Sequence, residues 1–140
     1  MEDWWEIGLK FRPLAILDRL DLPEELGVRG AAVFPAKWGS EFKLLILTSI
    51  KGNRVVMVTP AVAHPRCRLA SREEVVVADK VVRLVFGSTR YISLCVIDVG
   101  KEATIDSTLE SLVEEGVVDC VGLECFEADE LKEYVGGKHG

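Results

Sequence analysis

Hydrophobic residues in this chain fall into short runs separated by glycine, proline and charged residues, and each run carries its own signature. Over residues 11–27, Leu14, Leu17, Leu20 and Leu26 lie on one stripe, with Pro13 at the entry, an interruption at Pro23 and Gly27 at the end, which predicts a helix. Three extended runs follow, at residues 28–34, 42–50 and 54–62, and Lys51-Gly52-Asn53 is a turn that joins the last two as a hairpin. Ser71-Arg-Glu-Glu74 has the S-x-x-E form of a capping box and opens a segment that stops at Gly87. Its valines favour two strands about an Asp79-Lys80 turn, its cap favours a helix over residues 72–86, and periodicity does not decide between them. Residues 91–99 have the composition of a buried strand ended by Gly100. A second capping box at Ser107-Thr-Leu-Glu110 predicts a short helix to Glu115, followed by a strand over 117–126, a helix over 128–135 and a glycine-rich tail. No internal repeat or low-complexity linker interrupts this order.

With 140 residues, 49% of them hydrophobic and 29% charged, the chain fits one domain with a real core, which excludes a multidomain enzyme and a disordered polymer. No apolar run approaches the ~18 residues of a bilayer span, and residues 1–6 are acidic where a secretory signal is basic, so a cytoplasmic protein without a membrane partner is expected. Glutamine is absent and Asn53 is the single asparagine. Such avoidance of thermolabile amides points to a hyperthermophile, where intracellular disulfides do occur. The four cysteines, Cys67, Cys95, Cys120 and Cys125, form no C-x-x-C pair, and His64 and His139 sit in a loop and in the tail, so no zinc site is expected. Cys95 is expected buried on a strand, with or without a bridge from Cys120 to Cys125.

The formal net charge of −6 is unevenly spread. Residues 1–25 hold three bases and seven acids, residues 26–97 eleven bases and four acids, and residues 98–140 three bases and twelve acids. Net charge gives no basis for nucleic-acid binding, but the middle could present a basic face to phosphates; ordinary solvated surface is the competing account.

Catalytic motifs are scarce. There is no glycine-rich nucleotide loop, no H-E-x-x-H and no G-x-S-x-G elbow. Glu41-Phe-Lys43 has the spacing of the acidic residue and lysine that metal-dependent nucleases use, without a well-placed upstream aspartate. His64-Pro65 reads as a loop histidine rather than a general acid.

The longest informative stretch is Gly27 to Phe42, in which Arg29-Gly30 and Lys37-Trp38-Gly39-Ser40-Glu41-Phe42 fill the pattern R-G-aromatic-V-V … K-aromatic-G-small-acidic-F. It resembles a segment of the tRNA-splicing endonuclease family, of archaeal type. Residues 71–83 are similar to that family's helix beginning S-x-x-E, and residues 91–98 to its following strand ending V-V-D; the resemblance covers residues 14–106 and favours a helix after Ser71. It implies an α/β fold with a mixed β-sheet flanked by helices, restriction-endonuclease-like, over residues 1–106, with residues 107–140 as a short α/β extension of the same domain.

Family members that cut RNA use a Tyr as general base, a His as general acid and a Lys on the phosphorane, with no metal or cofactor. The matching places here hold Leu45, no histidine within residues 50–54, and Arg90. The resemblance therefore implies a structural subunit with no catalytic residue of its own, whose partners are a catalytic subunit and precursor tRNA. It places Arg83 and Arg90 on the RNA, Arg83 stacking its guanidinium on a bulge base. It also places Asp98, Glu102 and Asp106 at the subunit interface, entering a basic pocket on the neighbour. The rivals are a diverged stand-alone nuclease using Glu41, Lys43 and Arg90, and a nucleic-acid-binding scaffold that retains only the fold.

Overall fold

The computed structural model describes residues 9–59, 64–87 and 93–131. The β-branched and aliphatic runs form strands β1 (Ala15–Asp18), β2 (Gly30–Trp38), β3 (Glu41–Ser49) and β4 (Asn53–Thr59); helix α1 (Arg72–Phe86) then leads to β5 (Ser93–Asp98). Helix α2 (Ile105–Glu114), the two-residue strand β6 (Cys120–Val121) and the short helix α3 (Ala128–Leu131) complete the described elements. The strands join one six-stranded sheet in the order β1-β2-β3-β4-β5, with β6 pairing on β2. Every described strand pair is antiparallel, including β4 with β5, where Arg54 faces Asp98 and Val58 faces Leu94. This corrects the expectation of a mixed sheet: α1 intervenes between β4 and β5, yet β5 still runs opposite to its neighbour.

Both faces of the sheet are covered, which is why β3 reads Leu44-Leu45-Ile46-Leu47 with no polar alternation. On one face Ala32, Phe34, Leu45, Leu47 and Met57 pack under Ile105, Leu109 and Leu112 of α2. On the other, Val33, Leu44, Ile46, Val56 and Val96 pack under Val77, Ala78, Val81 and Val82 of α1. Fully burying one such aliphatic side chain contributes roughly 1.5–3 kcal/mol, enough to override the low helix propensity of the α1 valines. Helix α1 also has the ends its sequence predicts: Ser71 and Glu74 form the reciprocal cap, and Gly87, at φ 84, closes the last turn through a bond from its N–H to the Arg83 carbonyl.

Residues 11–27 are not a helix. β1 pairs with the first half of β2, from Ala15 opposite Val33 to Asp18 opposite Gly30, and two 3₁₀ turns follow at Arg19–Asp21 and Glu24–Leu26. Pro13 and Pro23 limit any helix here to a marginal length, whereas the edge of β2 offers a row of unpaired backbone groups. Leu20, placed on the expected apolar stripe, is instead 86% exposed. That same edge of β2 takes β6 further along, and the Pro35 carbonyl accepts from Gly122 N–H. The expected strand over 117–126 shrinks to Cys120–Val121 followed by a 3₁₀ turn, Leu123–Cys125. Helix α2 begins a turn earlier than expected, with Thr104 and Ser107 forming the cap in place of Ser107 and Glu110.

Two disulfides join Cys67 to Cys95 and Cys120 to Cys125, with Cα separations of 4.9 and 6.0 Å. The first ties the segment before α1 to buried β5, and no expectation from sequence had paired those two residues. Among the described residues, no helix is long and apolar enough to cross a membrane.

Candidate functional site

The pleat places Glu41, Lys43, Leu45 and Leu47 on the same face of β3, with Met57 and Thr59 on that face of β4. Leu45 and Leu47 lie under α2, but the strands run on past its cover, so the face beyond the helix opens into a cavity of about 230 Å³. Trp38, Glu41, Lys43, His64, the Cys67–Cys95 disulfide and Val117 are among its lining. Lys43 is only 7% exposed; its ammonium donates to Thr59 Oγ1 at 2.6 Å and lies 3.4 Å from Glu41 Oε1. His64 Nδ1 accepts the Arg66 backbone N–H at 3.1 Å, which leaves the ring proton on Nε2 in the neutral form. The cavity is thus largely apolar with a few convergent polar groups, the usual constitution of a small-ligand site.

Glu41 brings one carboxylate to this cavity, with the Lys43 ammonium beside it at 3.4 Å. Among the described residues, no cluster of three or more His, Cys, Asp and Glu side chains is placed to hold a metal ion.

Opposite the α2 face lies a buried ionic cluster that the sequence did not reveal. Glu74, at 0% exposure, accepts from Arg54, from both terminal nitrogens of Arg68 (3.0 and 2.7 Å) and from the Ser71 backbone N–H (2.6 Å). Burial pushes the Glu74 carboxyl upward, but the bonds from Arg68, Ser71 and Arg54 outweigh it and hold the group at about 2. Asp98 completes the cluster as a bidentate acceptor from Arg68 at 2.7 and 2.9 Å, and this Arg68 fork holds its carboxyl below the usual range. The cluster fastens the start of α1 to the ends of β4 and β5.

The three expected interface carboxylates lie on or beside one turn, between β5 and α2, in three different situations. Asp98 is engaged by Arg68, and Asp106 accepts the Lys10 backbone N–H at 2.8 Å, whereas Glu102 is exposed. Of the expected RNA-facing residues, Arg83 is on the solvent side of α1, its side chain 61% exposed and paired with Asp79 at 3.0 Å. Arg90 lies outside the described residues. The acidic last third of the chain in part neutralises the basic middle internally: Lys37 pairs with Glu130 at 2.7 Å and Arg66 with Glu115, besides Arg68 with Asp98. The Lys37 ammonium and the Arg66 guanidinium accordingly hold the Glu130 and Glu115 carboxyls below their ordinary values. Lys37 also lies 4.9 Å over the Phe126 ring.

These features define an α/β domain with a covered antiparallel sheet and a polar-edged cavity beside it. Compared with protein-family models, curated proteins and solved structures, the chain matches none.

Proposed function

We propose that the protein is a non-catalytic subunit of a heteromeric tRNA-splicing endonuclease, pairing with a catalytic subunit on precursor tRNA that carries a bulge-helix-bulge. The observation that carries this is the condition of the place where the family's general base belongs. Leu45 is 0% exposed beneath α2, so that position meets core and cannot present a proton acceptor to RNA. The tight turn from β3 to β4, where the general acid belongs, contains no histidine. Further support comes from α1, whose ends follow the resemblance, and from exposed Arg72, Lys80 and Arg83 on its outer side.

The likeness to restriction-endonuclease-like domains rests, in this proposal, on the residue pattern and on a sheet enclosed by helices. Strand direction does not contribute to it, because β5 is antiparallel to β4. The disulfides fit a cytoplasmic protein of a hyperthermophile.

The test mixes the protein with a catalytic endonuclease subunit and a bulge-helix-bulge RNA in metal-free buffer. The protein alone is expected to leave the RNA intact, and the mixture to cut it to a 2′,3′-cyclic phosphate and a 5′-hydroxyl. Cutting by the protein alone would refute the non-catalytic role. Failure to bind or activate the catalytic subunits of the organism that encodes the chain would refute the pairing.

A further inference from the structure

The cavity beside Lys43 is lined by none of the carboxylates assigned above to subunit pairing, and its polar groups are arranged for recognition. The Lys43 side chain is 8% exposed, and an ammonium has three N–H donors, of which Thr59 and Glu41 occupy two. One donor remains for an incoming acceptor among the described residues. Beside it, at 3.4 Å, Glu41 presents a carboxylate whose side chain is 46% exposed and which has lone pairs to spare. A donor flanked by a two-oxygen acceptor complements the edge of a planar heterocycle that carries an acceptor next to two N–H donors. Among the four RNA bases only guanine has that edge, with O6 beside N1–H and the N2 amino group. Adenine, cytosine and uracil each offer a carboxylate a single donor group.

The walls suit the same ligand. Trp38, 50% exposed at the rim, gives a stacking surface, and His64 contributes an Nε2–H donor at the wall. A volume of about 230 Å³ falls below the ~300–1,000 Å³ of sites for drug-sized ligands and suits one ring system rather than an extended cofactor.

We propose that this cavity binds an unpaired guanine, with Glu41 on N1–H and the N2 amino group, Lys43 on O6 and Trp38 stacked on the ring. The base has two possible sources, a free guanine nucleotide or a guanosine displaced from an RNA, and both present the same edge. The inference does not depend on subunit pairing, because the site lies within one chain.

The experiment titrates the purified full chain, in separate arms, with GMP, AMP, CMP and UMP, and with RNA duplexes that differ only in one bulged base, guanine or adenine. Binding is read by calorimetry and by tryptophan fluorescence. At least about tenfold preference for guanine is expected in one arm or both, since a two-bond contact to a base edge typically discriminates by that factor or more. The arm in which it occurs identifies the source. The Trp38→Phe variant should lose the fluorescence response although Trp4 and Trp5 remain. Glu41→Gln keeps one acceptor and should bring the guanine preference down to near unity, with the circular dichroism spectrum unchanged. No saturable binding in either arm, equal binding of all bases, or a preference that survives Glu41→Gln would each overturn the proposal and leave the subunit role untouched.

Discussion

Replacing Glu74 by Gln keeps the shape of the side chain and one acceptor for the Ser71 N–H, but removes the charge that two arginines share. The Arg54 side chain, 14% exposed, then has Asp98 as its nearest remaining carboxylate, at 4.0 Å from Nε. Breaking a buried pair from one side typically costs about 3–5 kcal/mol. The depressed Glu74 carboxyl gives a second figure. Holding the carboxyl at about 2, against 4.5 for an ordinary Glu, corresponds to about 3 kcal/mol. Water around Arg68, whose side chain is 37% exposed, trims this toward roughly 2 kcal/mol.

The expected loss is therefore roughly 2–3 kcal/mol, or about 6–15 °C in Tm for a domain of this size. Because the folded-state pKa is depressed, this stability is present above about 4.5 and is lost as pH falls toward about 2. Wild type and Glu74→Gln should thus differ fully near neutral pH and converge in strong acid. Scanning calorimetry or denaturant titration across that range, with the disulfides intact, reads both quantities. A neutral-pH difference below about 0.5 kcal/mol, or one that stays constant into strong acid, would refute the role given to this cluster.

The two disulfides should contribute unequally. Chain entropy assigns about 3–4 kcal/mol to the 28-residue separation of Cys67 and Cys95 and about 2 kcal/mol to the 5-residue separation of Cys120 and Cys125, so replacing the first pair with alanine should lower the denaturation midpoint more. In a reconstituted endonuclease, Arg83→Ala should weaken binding of bulged RNA by the equivalent of roughly 1–3 kcal/mol, while folding changes by less than about 0.5 kcal/mol; unchanged RNA binding would return Arg83 to a surface pair with Asp79. Asp98→Asn should cost about 1 kcal/mol of stability through Arg68, whereas Glu102→Gln should leave stability intact and, if this turn enters a basic pocket, slow association with the partner in a salt-dependent way. Equal stability of the two variants would show that the fork between Arg68 and Asp98 carries no weight.

What the residues themselves determined is local. The cap at Ser71 and Glu74 and the stop at Gly87 act within one helical turn, and they bound α1 in the fold as they do on paper. The β2–β3–β4 meander is legible for the same reason, since Lys51-Gly52 supplies positive φ between apolar runs. Where two local signals overlapped, burial chose between them: starting α2 after Thr104 puts Ile105, Leu109 and Leu112 against the sheet. The first segment went the other way because the unpaired edge of β2 outbid a short, proline-interrupted helix, a competition that involves residues 12 or more positions away. The antiparallel direction of β5 beside β4 likewise depends on pairing between residues far apart in the chain, and it carries no marker in composition. Charge counts were visible throughout, but their pairing was not. Only folding brings Arg68 to Asp98, Arg66 to Glu115 and Lys37 to Glu130, and so turns part of an apparent basic face and acidic tail into internal contacts. The cavity arises the same way: Trp38 of β2, Glu41 and Lys43 of β3, Thr59 of β4 and His64 share one space because β3 and β4 outreach the helix that covers them.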